Sequence, residues 1–284
     1  MIKDYFSLIR VQQWYKNLVV FLAIFFSGNV FDLALLERAG IAFASLCLIS
    51  SAGYIINDLI DRRKDQLHPE KKMRPLASGK ISIYSALVFM GLLLVTALYL
   101  GQNVGDTFLV IAISLFLLTQ LYTFYLKNVI FADVLVIASL FVLRAIAGAV
   151  AVSVVVSPWL ILCPFFLALF MAIAKRKGDL QLLGERAAAT RKVLHEYNHA
   201  VTDSLMSITT GLLVMSYSLY SFLSPYNRLI YTIPFSLYVI FRYYHLVGKS
   251  PEIARQPHKA IQDLALMVGI LLWVMVTGAL IYYP

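Results

Sequence analysis

The chain has 284 residues, 61% hydrophobic and only 14% charged, with a mean hydropathy of +0.79. A water-soluble domain carries about 25% charged residues, so the composition excludes an ordinary soluble protein and predicts an all-α integral membrane protein. The net charge of +9 could suit nucleic acid. Its placement argues instead for orientation in a bilayer, with anionic lipid or phosphate groups, not nucleic acid, as ligands.

Apolar runs long enough to span a bilayer, about 20 residues each, recur along the whole chain. Nine spans are predicted, at about 14–34, 39–57, 82–101, 106–126, 130–151, 157–176, 201–223, 227–247 and 261–282. The runs are continuously apolar and do not alternate at period two, which argues against a β-barrel. No polar stretch is long enough for a soluble domain, so 1–284 reads as a single polytopic domain. Of the 24 Lys and Arg residues, all but Arg38, Arg144 and Arg228 fall before the first span or in alternate connections. By the positive-inside rule the N-terminus is cytoplasmic and the C-terminus outside. The first apolar run is long and follows three basic residues, unlike a cleavable signal peptide. Cys47 and Cys163 lie in apolar runs and read as packing residues, so neither a disulfide nor a metal pair is indicated.

Two connections, about 57–80 and 175–200, stand out by length and charge. Each follows a pair of spans and four spans separate them, which suggests two four-helix halves plus a ninth helix around a cavity open to the cytoplasm. In the first, the helix of the second span is expected to continue past Asp65 until His68-Pro69 stops it. Asn57, Asp61 and Asp65 are spaced i, i+4, i+8 and share one helical face. Three such oxygen side chains can hold Mg²⁺ and leave coordination positions for substrate phosphates. Asn57 and Asp61 are the first-choice ligands and the catalytic pair; Asp65 ligates, binds through water, or pairs with Lys64. Asp58 points about 100° from Asn57 and suits a capping or structural role. Tyr54, one turn before Asn57, can bond a ribose or phosphate, or serve in the interface belt. A solvated orienting loop is the plainer alternative, but carboxylates directly after Ile55-Ile56 are costly unless paired or metal-bound.

Arg144 lies midway in the fifth span, where a charge faces a bundle interior or a counter-charge. Asp133 is about three turns away and does not pair with it directly. Lys127, at the cytoplasmic end of the fourth span, joins Arg144 in an expected grip on a lipid phosphate; a salt bridge from Arg144 to another helix is the alternative.

The stretch Asn57-Asp58-x-x-Asp61-x-x-x-Asp65 resembles the first Asp-rich motif of the UbiA superfamily of intramembrane prenyltransferases. Further segments are similar to its decaprenyl-phosphate phosphoribosyltransferase branch. These are Arg10-x-x-Gln13-Trp14-x-Lys16-Asn17, His68-Pro69-x-Lys71-x-x-Arg74-Pro75-x-Ala77-x-Gly79, Lys175-Arg176, and Arg242-Tyr243 with Ser250-Pro251-Glu252. The resemblance covers essentially the whole chain and implies a nine-helix UbiA-like bundle in a bacterial or archaeal cytoplasmic membrane. It implies Mg²⁺-dependent transfer of the 5-phosphoribosyl group of phosphoribosyl diphosphate (PRPP) to a polyprenyl phosphate such as decaprenyl phosphate, for a cell-envelope glycan precursor. Lys16, Asn17, Tyr54, Lys71, Lys72, Arg74, Lys175 and Asp179 are the expected PRPP contacts, and Lys127, Arg144 and Arg176 the lipid-phosphate contacts. Lys16 and Lys175 to Lys177 could equally be membrane anchors. A homo-oligomer is compatible with the chain. UbiA-type aromatic prenyltransferases carry a second Asp-rich motif in the second loop. Here Asp179 is alone in its turn, with Lys175 one turn before it, which suits more phosphate and less metal. The rivals are prenyl transfer to an aromatic acceptor and, with weaker support, a lipid transporter, for which no matched helix breaks occur.

Overall fold

A computed structural model describes residues 2–67, 71–184 and 192–283, and all regular secondary structure among them is helical. His68, Pro69 and Glu70, and the part of the second loop holding Glu185, Arg186 and Arg191, lie outside the described residues. In chain order the α-helices are α1 (Ile2–Leu8), α2 (Leu22–Phe26), α3 (Leu33–Ile60), α4 (Arg62–Leu67), α5 (Ile83–Val104) and α6 (Asp106–Phe124). They continue with α7 (Ala132–Ala151), α8 (Pro158–Leu183), α9 (His199–Leu223), α10 (Ile233–Lys249), α11 (Pro251–Arg255) and α12 (Leu264–Tyr282).

Side chains that cap free backbone N–H groups fix the starts of the long helices. Asp32 accepts from Ala34 and Leu35, Ser82 from Ser85, Ser157 from Leu160, Asn198 from Val201 and Asp263 from Leu266. Pro158 at the first turn of α8 follows the same logic, since its missing N–H would have no helical partner.

Seven helices among the described residues are long and apolar enough to cross a membrane: α3, α5, α6, α7, α8, α9 and α12. The expected first span departs from this pattern. Its chain runs as a 3-10 helix over Val11–Phe21 and then the five-residue α2. The eighth span is a 3-10 segment, Asn227–Thr232, followed by the 17-residue α10. Apolar composition predicts both segments; it does not predict which kind of helix they adopt.

The chain divides into two compact units. The first comprises 1–124 and 143–156, the second 125–142 and 157–284, so the division falls inside α7 and not between two sets of four helices. In the first unit α3 packs on α5, α6 and the 3-10 segment, around Leu8, Ala52, Ile55, Leu76 and Leu93. In the second, α8 packs on α9 and α11, and α10 on α12, around Phe170, Ile173, Met206, Val247 and Leu266. Large apolar side chains such as Leu92, Val95 and Tyr99 remain exposed on α5. That is the surface a lipid-facing helix presents, where every backbone polar group is satisfied within the helix.

Candidate active site

The polar face of the first unit is built on α3. The helix does not run unbroken through the Asp-rich segment as expected. It ends at Ile60, and Asp61 (φ −85°, ψ 1°) stands at the break before α4. Two backbone bonds bridge it, from Asp61 N–H to the Asn57 carbonyl (2.9 Å) and from Asp65 N–H to the Asp61 carbonyl (2.8 Å). Asn57 and Asp61 therefore keep their i, i+4 relation across the bend.

The other two acids of the segment are engaged by cations. Asp65, 3% exposed, accepts from Arg74 Nη1 at 2.6 Å. The alternative pairing with Lys64 gives way to this one. Asp58 is also buried and accepts from Arg74 Nη1 at 3.0 Å and from Arg10 Nη2. Its structural reading is the one the contacts support. Arg74 is held by both carboxylates and ties the Asn57–Asp65 segment to the loop that follows it. Arg62 reinforces that tie by donating to the Leu76 carbonyl. Arg10, a left-handed residue (φ 51°, ψ 53°), also places its guanidinium 5.0 Å from the centre of the Tyr54 ring. Sequence reasoning quoted Arg10 as part of a motif without giving it a role. The signal was available: a cation before the first span, opposite an acid at a helix end.

Lys71 and Lys72 lie in the short 3-10 turn Lys71–Met73, Lys72 exposed and Lys71 half-buried. Burial and the charge of Arg74 lower the Lys71 ammonium below its ordinary value, Asp65 and Asp61 oppose the shift, and Arg10 adds to it. An anion arriving there would relieve that cost.

Deeper in the first unit, Arg144 on α7 is 6% exposed and donates from Nε to Asn17 Oδ1 at 2.7 Å. Asn17, itself buried, donates to Cys47 Sγ on α3 at 3.2 Å. The close approach that makes this possible is at Gly148, one turn beyond Arg144. A Cβ there would lie 2.0 Å from the Val20 carbonyl oxygen, so only glycine lets α7 meet the 3-10 segment bearing Lys16 and Asn17. Lys127 sits in the turn Leu126–Asn128 that precedes α7.

In the second unit the sequence-predicted cations and acid form a network of their own. Arg176, 1% exposed, donates from Nε to Asp133 Oδ2 at 2.7 Å, and Tyr197 donates its hydroxyl to Asp133 Oδ1 at 2.8 Å. Burial first, and then that hydrogen bond, raise the Tyr197 phenol above its ordinary range. Asp179, 8% exposed, accepts from Arg255 Nε at 2.9 Å and lies 3.6 Å from Arg176 Nη1. Arg176 and Asp179 are thus committed to protein partners, while Lys175 is exposed. Gly178 explains the Ser250-Pro251 segment: a Cβ there would lie 2.8 Å from the Pro251 carbonyl oxygen, so α8 and α11 touch through it. Tyr197 and Arg255 were missed in the sequence, where nothing local links them to residues far away in the chain.

A divalent metal can be tested against these contacts. Among the described residues no three His, Cys, Asp or Glu side chains are grouped to hold one. Asn57 and Asp61 on one face supply two oxygen side chains. That fits Mg²⁺, which takes one or two carboxylates and fills the rest of its shell with water and substrate phosphates.

Residues 17–262 match the UbiA prenyltransferase family. The chain belongs to that family. Among its UbiA relatives, the decaprenyl-phosphate phosphoribosyltransferase of Mycolicibacterium smegmatis is 33% identical over 294 residues, covering 97% of this chain and 91% of the other. That of Mycobacterium tuberculosis is 32% identical over 285 residues, covering 97% and 93%, and that of Corynebacterium glutamicum is 32% identical over 273 residues, covering 91% and 82%. The fold is shared with a UbiA homologue from Archaeoglobus fulgidus bound to GPP and Mg²⁺, at a TM-score of 0.74, 19% identity and 98% and 99% coverage. The chain is therefore an all-helical, multi-pass membrane protein of UbiA fold.

Proposed function

We propose that this UbiA protein transfers the 5-phosphoribosyl group of PRPP to a polyprenyl phosphate, releasing diphosphate. The full-length likeness to three decaprenyl-phosphate phosphoribosyltransferases supports the reaction. The observation that carries it against prenyl transfer to an aromatic acceptor is the state of Asp179. Asp179, the one acid of its helical turn, is already held by Arg255 and Arg176, which argues against a second metal there. We assign Asp179 and Arg176 to holding the base of that loop, not to touching substrate, and leave Lys175 as its phosphate contact.

In this reading Asn57 and Asp61 hold Mg²⁺, with Asp65 acting through Arg74. A magnesium ion there would offset the charge that builds on the departing diphosphate. Lys71, Lys72 and Arg74 bind the phosphates of PRPP, and Tyr54 faces the ribose. Arg144, with Asn17 and Lys16, receives the lipid phosphate; Lys127 serves the cytoplasmic rim. The bond from the anomeric carbon to the diphosphate oxygen breaks, and one from that carbon to a lipid phosphate oxygen forms. Attack from the face opposite the leaving group gives inversion. The lipid phosphate is already ionised near neutral pH, so no residue need take a proton, consistent with the lack of a His or Glu beside Asp61 in the sequence. The nine spans, the cytoplasmic opening and the cytoplasmic N-terminus belong to the same proposal, supported by the distribution of Lys and Arg.

Membranes containing the protein should be given PRPP with decaprenyl phosphate and, in parallel, a prenyl diphosphate with an aromatic acid. Label from the ribose should enter the lipid phase and EDTA should abolish this; prenylation of the aromatic acid instead would overturn the assignment.

A further inference from the structure

Gln120, on α6, is not in any expected set of site residues. Its side-chain Oε1 and Nε2 are both buried, and neither has a hydrogen-bond partner among the described residues. A primary amide can make four hydrogen bonds, and leaving its buried groups unmade costs about 1–3 kcal/mol each. The cost has less chance of relief in hydrocarbon, where water is absent. Such a group in a packed helix pair calls for a partner that the described residues do not supply.

The position of the amide says what kind of partner. It lies over Gly53 on α3: a Cβ at Gly53 would be 3.3 Å from Gln120 Nε2 and 3.6 Å from Thr119 Cγ2. Gly53 is one turn, about 6 Å of rise, from Asn57. Gly53, Asn57 and Asp61 follow at i, i+4, i+8 and occupy one stripe of the helix. Ser50, one turn beyond Gly53 on the same stripe, is 9% exposed, and its Oγ is likewise buried without a partner. Arg10 and Arg74 are engaged by Asp58, and Arg144 by Asn17. A neutral amide beside a side-chain-free patch of helix offers donors and acceptors without charge. That suits a neutral hydroxyl and not a phosphate, which the cationic groups serve better.

We propose that Gln120, seated over Gly53, reads the 2-hydroxyl of the transferred pentose and so sets the sugar specificity of the site. The inference rests on the phosphoribosyl transfer assigned above. A site built to hydrogen-bond a substrate hydroxyl rejects the analogue lacking it, because the buried polar group is then left unpaired.

The test compares PRPP with 2-deoxy-5-phosphoribosyl diphosphate as donors, with decaprenyl phosphate as acceptor, in the full-length protein. Wild type should favour PRPP in kcat/KM by on the order of a hundredfold or more. Gln120→Leu should lower kcat/KM for PRPP and leave the deoxy donor nearly unchanged, so the preference falls at least about tenfold. Gly53→Ala is the second variant. It favours the helix while placing a methyl group against the amide, and it should erode the preference in the same direction. A merely structural Gln120 would lower both donors equally, and an unchanged preference in both variants overturns the assignment. Should Gln120→Leu fail to fold, the Gly53→Ala preference decides alone. A wild-type protein that moves no label from PRPP defeats the parent reaction; an active wild type whose preference does not move in the variants defeats only the role of Gln120.

Discussion

At the scale of single residues, charge pairing sorts the polar groups of the Asp-rich segment. Asp58 and Asp65 are held by Arg10 and Arg74, and our reading assigns Asn57 and Asp61 to the metal. Asp61→Asn should keep the fold, because its backbone bonds to Asn57 and Asp65 do not involve the carboxylate. It should lower kcat by about 10²-fold or more; a variant with near wild-type turnover would remove Asp61 from the site. The Asp133 carboxylate behaves differently. It is 0% exposed and accepts from both Arg176 and Tyr197, so Asp133→Asn leaves a buried guanidinium short of its counter-charge and should cost about 3–5 kcal/mol. A detergent melting curve checks this; an unshifted midpoint would show the pair to be dispensable. The i, i+4 relation of Asn57 and Asp61 was legible in the sequence because it is local, a single turn. The partners of Asp133 lie 43 and 64 residues away, and no periodicity connects residues across such distances.

At the scale of elements, two glycines decide which helices can touch. Gly148 admits the Val20 carbonyl and so brings Asn17 under Arg144, and Gly178 admits α11. Gly148→Ala should force the backbones apart, cost about 1–3 kcal/mol and weaken use of the lipid substrate, seen as a higher KM for decaprenyl phosphate than for wild type. An unchanged KM with intact stability would mean that Arg144 does not depend on this contact. Hydropathy located the seven long helices well, since a bilayer-length apolar run has few other outcomes. It could not foresee that the first span is a 3-10 segment with a five-residue α-helix, nor the bend at Asp61, because neither changes the composition of the run.

At the scale of the whole molecule, the chain falls into two units whose boundary cuts α7. The two four-helix halves expected from the two charged loops do not coincide with these units, because the boundary falls inside α7. Charge asymmetry gives a prediction at this scale. Single cysteines introduced at Lys3, Lys64 and Lys249 should resist a membrane-impermeant thiol reagent in intact cells and react after permeabilisation, while one at Arg228 should react from outside. The reverse pattern would invert the topology. The site on α3 and the reaction proposed for it stand together on which bond of PRPP is broken. The most direct measurement uses purified protein in lipid nanodiscs, decaprenyl phosphate, Mg²⁺, and PRPP carrying ¹⁴C in the ribose and ³²P in the diphosphate. The account predicts ¹⁴C in the lipid and ³²P released as diphosphate in equal amounts. Appearance of ³²P in the lipid, or of neither label, would contradict it.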